Sequence, residues 1–317
     1  MSPALNILVL NHLSARHIDA IQNVAPNANI ICSTPEQAGE SIQDTEILLA
    51  WGYMDIRPLV AAAPNLKWVH ALTAGVEGLL FPELQQSDII ITNSKGIHGI
   101  PVSEHVLSLL LAFTRGINLF IRQQQNKTWE RVRTDELYEK TIGIIGLGSI
   151  GREIAKKAKC LGMHVLATKR TLTNEIFVDK LLPPEQLPEL LAAADVVVVA
   201  LPLIEETRGL FTLEHFRAMK RSAYFINIAR GPVVCQQDLI TALQQELIRG
   251  AGLDVFEQEP LAADNPLWEM PNVIITPHVA ALSPFYLDRA IKLFAEDLAR
   301  YCQGREVSNR IDKMKGY

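Results

Sequence analysis

The sequence predicts an α/β chain made of two successive units, each built on a parallel sheet. Three observations carry that prediction. Short apolar runs alternate with amphipathic helical stretches along most of the 317 residues, the pattern of strands connected through helices. One such stretch, residues 141–170, places Gly146, Gly148 and Gly151 in G-x-G-x-x-G spacing between a strand pattern and a helix pattern. The length itself is sufficient for two domains with substantial cores.

In the first unit, 6–10, 29–32, 47–50, 67–72 and 89–92 read as strands and 15–24 as a helix. Pro101 then opens a long helix in which Val102, Val106, Leu109, Leu110, Phe113 and Ile117 recur at helical spacing. Two readings of it stand. It is either an intramolecular core helix or, with Phe120 and Trp129, part of a subunit interface.

The glycine-containing stretch organises the second unit. A strand at 142–145 turns at Gly146 into a helix with Ile150, Ile154, Ala155, Ala158 and Leu161 on one face, and a strand at 165–167 follows. In such a turn the first glycine permits the tight bend, the second lets backbone approach a pyrophosphate, and the third lets helix pack on strand. The helix start adds unpaired amides and a positive dipole end, so the stretch is read as a dinucleotide site.

Beyond the second strand, where an NAD site usually carries an Asp or Glu, stand Thr168, Lys169, Arg170 and Thr171. With no carboxylate there to repel it, a 2′-phosphate is expected to be held by Lys169, Arg170 and the two hydroxyls. NADP(H) is therefore the expected cofactor, with NAD(H) possible. The bland alternative is a solvated basic turn.

Further strands are expected at 196–200, 223–228, 250–255 and 272–276, and a last helix at 284–301 buries Leu287, Ile291, Phe294 and Leu298. The tail after Gly304 is polar and expected on the surface. Parallel strands bring their C-terminal ends to one edge, where open α/β sheets bind ligands. Arg230, Glu259 and His278 each follow such a strand end. An Arg fork can bind a carboxylate and stabilise charge developing on an adjacent carbonyl oxygen. His278 can protonate that oxygen as hydride arrives, with Glu259 orienting the imidazole and favouring its charged form. Taken singly, each has an ordinary structural reading: a turn histidine, a solvated loop acid, an ion-pair arginine.

The formal net charge of −5 argues against a nucleic-acid surface. Cys32, Cys160, Cys235 and Cys302 form no C-x-x-C pair, so neither a disulfide framework nor a metal site is suggested, and they read as buried or incidental thiols. No apolar run reaches membrane-spanning length and the N-terminus reads as a strand rather than a leader, so no membrane partner and a cytoplasmic location are expected.

Through GIHGIPVSEHVLSLLLAFTR, GLGSIG, ALPLIEETRGLF, NIARGPVV, GLDVFEQEP and TPHVA, in that order, the sequence resembles the D-2-hydroxyacid dehydrogenase family over essentially its whole length. The resemblance implies two Rossmann-like domains with the active site in the cleft between them, usually as a homodimer. It implies a substrate domain of 1–97 with 286–317 and a dinucleotide-binding domain of 98–285. Arg230 then corresponds to the substrate-binding arginine, His278 to the acid/base and Glu259 to its partner. The amides of Ala74 and Gly75 correspond to a carboxylate-binding loop, and Asp254 to a ligand of the nicotinamide carboxamide. Ser149, Ile150, Leu201, Pro202, Thr207, Ile228, Ala229 and Ala280 fall where the family lines its cofactor groove. Lys169 departs from NAD-using members, which place an acidic residue there.

The function expected is reduction of a small 2-oxo acid (glyoxylate, hydroxypyruvate, pyruvate or a branched analogue) to a D-2-hydroxy acid with NADPH. Rivals are a nucleotide-sensing, co-repressor-like interaction protein and a family member acting on formate or a phosphorylated hydroxy acid. Against the last, the phosphoglycerate-oxidising members with an added regulatory domain differ from these 317 residues, and no basic cluster lies near Ala74. Trp51, Tyr53, Leu72, Trp268, Ser283, Phe285 and Tyr286 are candidates to line the substrate pocket.

Overall fold

A computed structural model describes residues 5–313. It divides into two compact units, His98–Leu282 and the flanking residues up to Ile97 and from Ser283 onward. The second unit thus ends at Leu282 rather than at residue 285.

The first unit runs β1 (Asn6–Val9), α1 (Ala15–Gln22), β2 (Asn29–Cys32), β3 (Ile47–Ala50), α2 (Arg57–Ala61), β4 (Trp68–Ala71), α3 (Pro82–Gln85) and β5 (Ile90–Asn93). Its five strands are all parallel, in the order β2-β1-β3-β4-β5. β3 and β4 are buried along their whole length because the sheet is covered on both faces. Leu8, Leu48, Val69 and Ile91 pack on one face, and Ile7, Val9, Leu49 and Trp68 on the other.

In the second unit come α4 (Gly99–Thr114), α5 (Ile117–Gln125), β6 (Thr141–Ile145), α6 (Ser149–Cys160), β7 (His164–Thr168), β8 (Lys180–Leu182), α7 (Leu187–Ala193), β9 (Val196–Val199), α8 (Leu213–Ala218), β10 (Tyr224–Asn227), α9 (Gln236–Gln244), β11 (Gly250–Leu253) and β12 (Val273–Ile275). The seven strands are parallel in the order β12-β11-β10-β9-β6-β7-β8. Alternation along each strand feeds two cores. Val197, Val199 and Phe225 meet Leu190 and Phe216 on one side, while Val196, Val198 and Ile226 meet Val106, Leu110 and Ile154 on the other. Each such buried aliphatic side chain contributes roughly 1.5–3 kcal/mol.

The long helix expected from Pro101 starts two residues earlier and does not run through Ile117. Gly116 adopts φ 68°, and α4 and α5 diverge by 66° across that break. Pro101 sits in the first turn of α4, where backbone N–H groups have no intrahelical acceptor. Among the described residues no single helix is long and apolar enough to cross a membrane.

The chain closes with α10 (Tyr286–Cys302) in the first unit, where Ile291, Phe294 and Leu298 bury against Trp68 and Ile21. The tail departs from its expected place on the surface. Val307 and Ile311 are buried, the Ile311 N–H donates to the Ile91 carbonyl at 2.8 Å, and Arg310 bridges antiparallel to Thr92 on β5. A polar sequence conceals two anchors, Val307 in the core on one face of the sheet and Ile311 in the core on the other. The four cysteines are free, but Cys32, Cys160 and Cys302 are exposed rather than buried.

Candidate active site

The seven-stranded sheet reverses its winding between β6 and β9, since the chain leaves β6 for β7 on the opposite side. Such a switch point opens a crevice at the strand ends. Gly146 turns the chain there with φ 99°, and a Cβ on it would lie 2.7 Å from the Ala200 carbonyl oxygen and 3.0 Å from Leu201 Cδ2. A Cβ on Gly151 would lie 2.4 Å from the Gly146 oxygen, so α6 comes as close to β6 as backbone permits. Gly148 differs. It has an ordinary φ of −85°, and a Cβ there would meet no heavy atom within 4 Å. Its missing side chain leaves room rather than relieving a clash.

Gly148 is the N-cap of α6 and offers no capping side chain, so the amides from Ser149 and Ile150 onward start the helix uncovered. This donor set, with the room above Gly148, fits a dinucleotide pyrophosphate. Around it, Leu201 and Pro202 follow β9, and Ile228, Ala229 and Ala280 are buried beneath. The Thr207 hydroxyl is spent locally, donating to the Pro202 carbonyl at 2.7 Å and accepting the Ile204 N–H at 2.9 Å.

At the end of β7 the structure corrects two expectations. Thr168 is buried, and its Oγ1 accepts the Gly146 N–H at 3.3 Å, so this hydroxyl secures the glycine turn instead of facing a phosphate. Nor is the basic turn free of carboxylate: Glu175 Oε1 lies 2.9 Å from Lys169 Nζ and 2.7 Å from Arg152 Nη2. Those cations hold the Glu175 carboxyl far below the usual carboxylate range, Arg152 most strongly and then Lys169. Arg170 and Thr171 are exposed.

Three loops carry the polar residues, and two of them bring Glu259 and His278 together. Gly231 lets the first cross closely over the second, since a Cβ on it would fall 1.8 Å from the Phe256 backbone. Beside it, the buried Asn227 side chain accepts the Ala229 N–H at 3.1 Å, and Arg230 stands exposed with Nη1 donating to the Ala229 carbonyl at 2.8 Å. In the second loop, Glu259 uses both oxygens: Oε1 accepts the Phe256 N–H at 3.0 Å, and Oε2 lies 2.8 Å from His278 Nδ1. With Nδ1 donating to that carboxylate, Nε2 is the ring atom left for chemistry.

His278 itself is held at φ 54°, an uncommon conformation outside glycine. The buried Asp254 explains how it is kept there. Its carbonyl accepts the His278 N–H at 2.8 Å, and its carboxylate accepts the Val279 and Ala280 N–H groups at 2.9 and 3.0 Å and the Thr276 hydroxyl at 2.6 Å. His105 Nε2 meets Thr276 Oγ1 at 2.9 Å. The structure therefore gives Asp254 a scaffolding task that spacing did not reveal.

The D-isomer specific 2-hydroxyacid dehydrogenase NAD binding domain matches residues 107–280, more than half of the chain. The chain belongs to the D-isomer specific 2-hydroxyacid dehydrogenase family. Among its relatives is a glyoxylate reductase of Thermofilum pendens, 36% identical over 266 residues that cover 80% of this chain and 76% of that one. A D-3-phosphoglycerate dehydrogenase of Archaeoglobus fulgidus is 34% identical over 256 residues, 80% of this chain but 49% of its own length, so the chain matches about half of that relative. A family dehydrogenase of Xanthobacter autotrophicus solved with NADPH and MES is 32% identical with a TM-score of 0.84, covering 99% of this chain and 100% of that one. The chain is thus an NAD(P)-dependent enzyme of the 2-hydroxyacid dehydrogenase family, an oxidoreductase.

For this family member, sequence reasoning missed Asn227, Thr276, His105 and His98. His98, at the N-cap of α4, is pushed down to about 4 by burial first and by the Arg230 charge second, so it stands neutral beside that arginine at neutral pH. All four lie inside the quoted motifs, but nothing in their spacing separates them from core. In the first unit, the Ala74 carbonyl accepts from Asn93 Nδ2 at 2.6 Å and the Gly75 carbonyl from Thr73 Oγ1 at 2.6 Å. Of the pocket candidates, Leu72 is wholly buried core and Trp51 stacks between Tyr53 and Tyr286, while Tyr53, Trp268 and Phe285 are exposed.

Proposed function

We propose that this dehydrogenase reduces small 2-oxo acids to D-2-hydroxy acids with NADPH in preference to NADH. The observation that carries the reading is the Glu259–His278 pair, 2.8 Å apart, with His278 on a loop that Asp254 fixes. Arg230 binds the substrate carboxylate and stabilises negative charge on the carbonyl oxygen. In the first unit, the amides of Ala74 and Gly75, whose carbonyls are engaged elsewhere, are the candidate carboxylate ligands. The reduced dinucleotide, when bound, supplies hydride to the carbonyl carbon. His278 Nε2 delivers a proton to the oxygen, completing the hydroxyl, while Glu259 compensates the imidazolium before transfer. Proton return to Nε2 comes from solvent.

The glyoxylate reductase and phosphoglycerate dehydrogenase relatives make glyoxylate and 3-phosphoglycerate compounds to test beside hydroxypyruvate. Initial rates of NADPH and NADH oxidation with glyoxylate, hydroxypyruvate, pyruvate and 2-oxoisocaproate, and of NADP+ and NAD+ reduction with 3-phosphoglycerate, test the reading. Strong NADPH preference with a two- or three-carbon acid is expected, and equal or better use of NADH would remove the cofactor assignment. His278→Gln is expected to lower kcat by about 10²–10⁴-fold with dinucleotide binding retained; near-wild-type turnover would sink the acid role.

We also propose that the enzyme is a homodimer through the α5 region. That helix buries none of its residues, and it exposes Ile117, Leu119 and Ile121, with Trp129 95% exposed beyond it. Sedimentation at micromolar concentration is expected to give the dimer mass, and a monomer there would overturn the proposal.

A further inference from the structure

Glu175 occupies an anion site made by the chain itself. Its Oε1 accepts from Arg152 Nη2 at 2.7 Å, Lys169 Nζ at 2.9 Å and Thr173 Oγ1 at 2.9 Å, and its Oε2 accepts from Arg152 Nε at 2.9 Å. The donors come from three places: the first turn of α6, the end of β7 and the loop leading to β8. Side-chain exposure is 12% for Glu175, 22% for Lys169 and 47% for Arg152, so the contact is sheltered on the Lys169 side and open on the Arg152 side. Leu172 and Ile176 on either side are exposed.

Two roles for such a carboxylate make opposite predictions. As a substitute for the acidic residue of an NAD site, Glu175 would accept hydrogen bonds from ribose hydroxyls. A carboxylate has about four lone-pair positions; three of the four contacts just named crowd Oε1 and the fourth takes one side of Oε2, which leaves at most one position for a ribose hydroxyl. As an internal competitor, it would neutralise one of two cations until a stronger anion arrives. A phosphate monoester carries about −1.5 to −2 charge and three acceptor oxygens, so it satisfies Arg152 and Lys169 together better than one carboxylate does. Arg170, exposed next in the chain, adds a third positive charge.

We infer that Arg152 joins Lys169 as a ligand of the cofactor 2′-phosphate and that Glu175 is the specificity-determining residue it displaces. This inference rests on the proposed NADPH preference and extends it: Glu175 weakens binding of a 2′-phosphorylated ribose without touching the unphosphorylated one. It converts an open basic turn, which any polyanion would fill, into a site that yields only to a phosphate held in the right register.

The test is calorimetric titration of the full chain with 2′,5′-ADP and with 5′-AMP, which carry the ribose with and without the 2′-phosphate. Glu175→Gln is expected to tighten 2′,5′-ADP by about ten-fold and leave 5′-AMP unchanged, while Arg152→Gln weakens only 2′,5′-ADP by a similar factor. Unchanged 2′,5′-ADP affinity in Glu175→Gln would overturn the competitor role, and weakened 5′-AMP binding would overturn it in favour of a ribose ligand. The underlying reading has its own arm. If the wild-type chain prefers 5′-AMP, or binds both alike with Lys169→Ala making no difference, the NADPH assignment fails and this inference falls with it. A retained 2′,5′-ADP preference with an inert Glu175→Gln removes the inference alone.

Discussion

The two units wind their sheets alike, yet their first βα turns could hardly be more different. Both sheets reverse at a switch point, between β1 and β3 in the first unit and between β6 and β9 in the second. After β1, however, the chain runs through Asn11–Ser14 without a glycine, and side chains of Ser14 and His17 pair at the start of α1. His17 Nδ1 meets the Ser14 N–H at 3.3 Å and its hydroxyl at 3.1 Å, and His17 Nε2 is fixed by Asp288 of α10 at 2.5 Å. After β6 the same position holds three glycines and a helix start with no cap. A switch point therefore supplies a crevice, and the first turn decides whether backbone amides remain available in it.

The strand ends repeat the lesson. In the first unit, His70 on β4 is completely buried, with Nδ1 2.8 Å from the Thr92 hydroxyl and Nε2 3.2 Å from Ser94, and burial drives it down to about 3. One histidine is sealed in its neutral form, and the other, His278, stands half-exposed beside a carboxylate.

The sharpest way to break the contrast is Gly148→Val. Its backbone is ordinary and its Cβ direction is open, so thermal stability is expected to stay within a few degrees while dinucleotide affinity falls by at least about 100-fold, because the side chain fills the space of the pyrophosphate. A variant that binds normally would mean that the glycine is incidental. Gly151→Ala should behave oppositely, losing about 1–3 kcal/mol of stability in denaturant titrations as its Cβ forces α6 from β6. Unaltered stability would contradict the close approach.

Acid sharpens the histidine comparison. Because the folded state holds His70 near 3 while an unfolded histidine titrates near about 6.5, its contribution is complete above about pH 6.5 and is lost as pH falls from there toward about 3, by up to about 1.4 kcal/mol per pH unit. Urea midpoints should therefore drop between about pH 7 and pH 5, and His70→Gln, weaker at neutral pH, should show a shallower slope. Equal slopes would show that another group is responsible. Smallest in effect, Ser14→Ala should cost about 1 kcal/mol or less in melting experiments and leave cofactor affinity alone. A loss of affinity there would end the distinction between the two turns.

Much of this was legible before folding. Uninterrupted β-branched runs such as Val196–Val199 require a sheet covered on both faces, and the spacing of Gly146, Gly148 and Gly151 states its steric reason in the residue type itself. Arg230, Glu259 and His278 could be placed after strand ends, because parallel strands share one edge. Partnerships made by side chains from separate elements could not be read. Nothing in the order of residues joins Glu175 to Arg152, removes Thr168 from the phosphate or binds Asp254 to the loop that carries His278. Local sequence sets periodicity and backbone permission, which act over a few residues. Contacts among groups tens of residues apart depend on the directions that the sheet and its helices impose, and those directions existed only once the tertiary structure had formed.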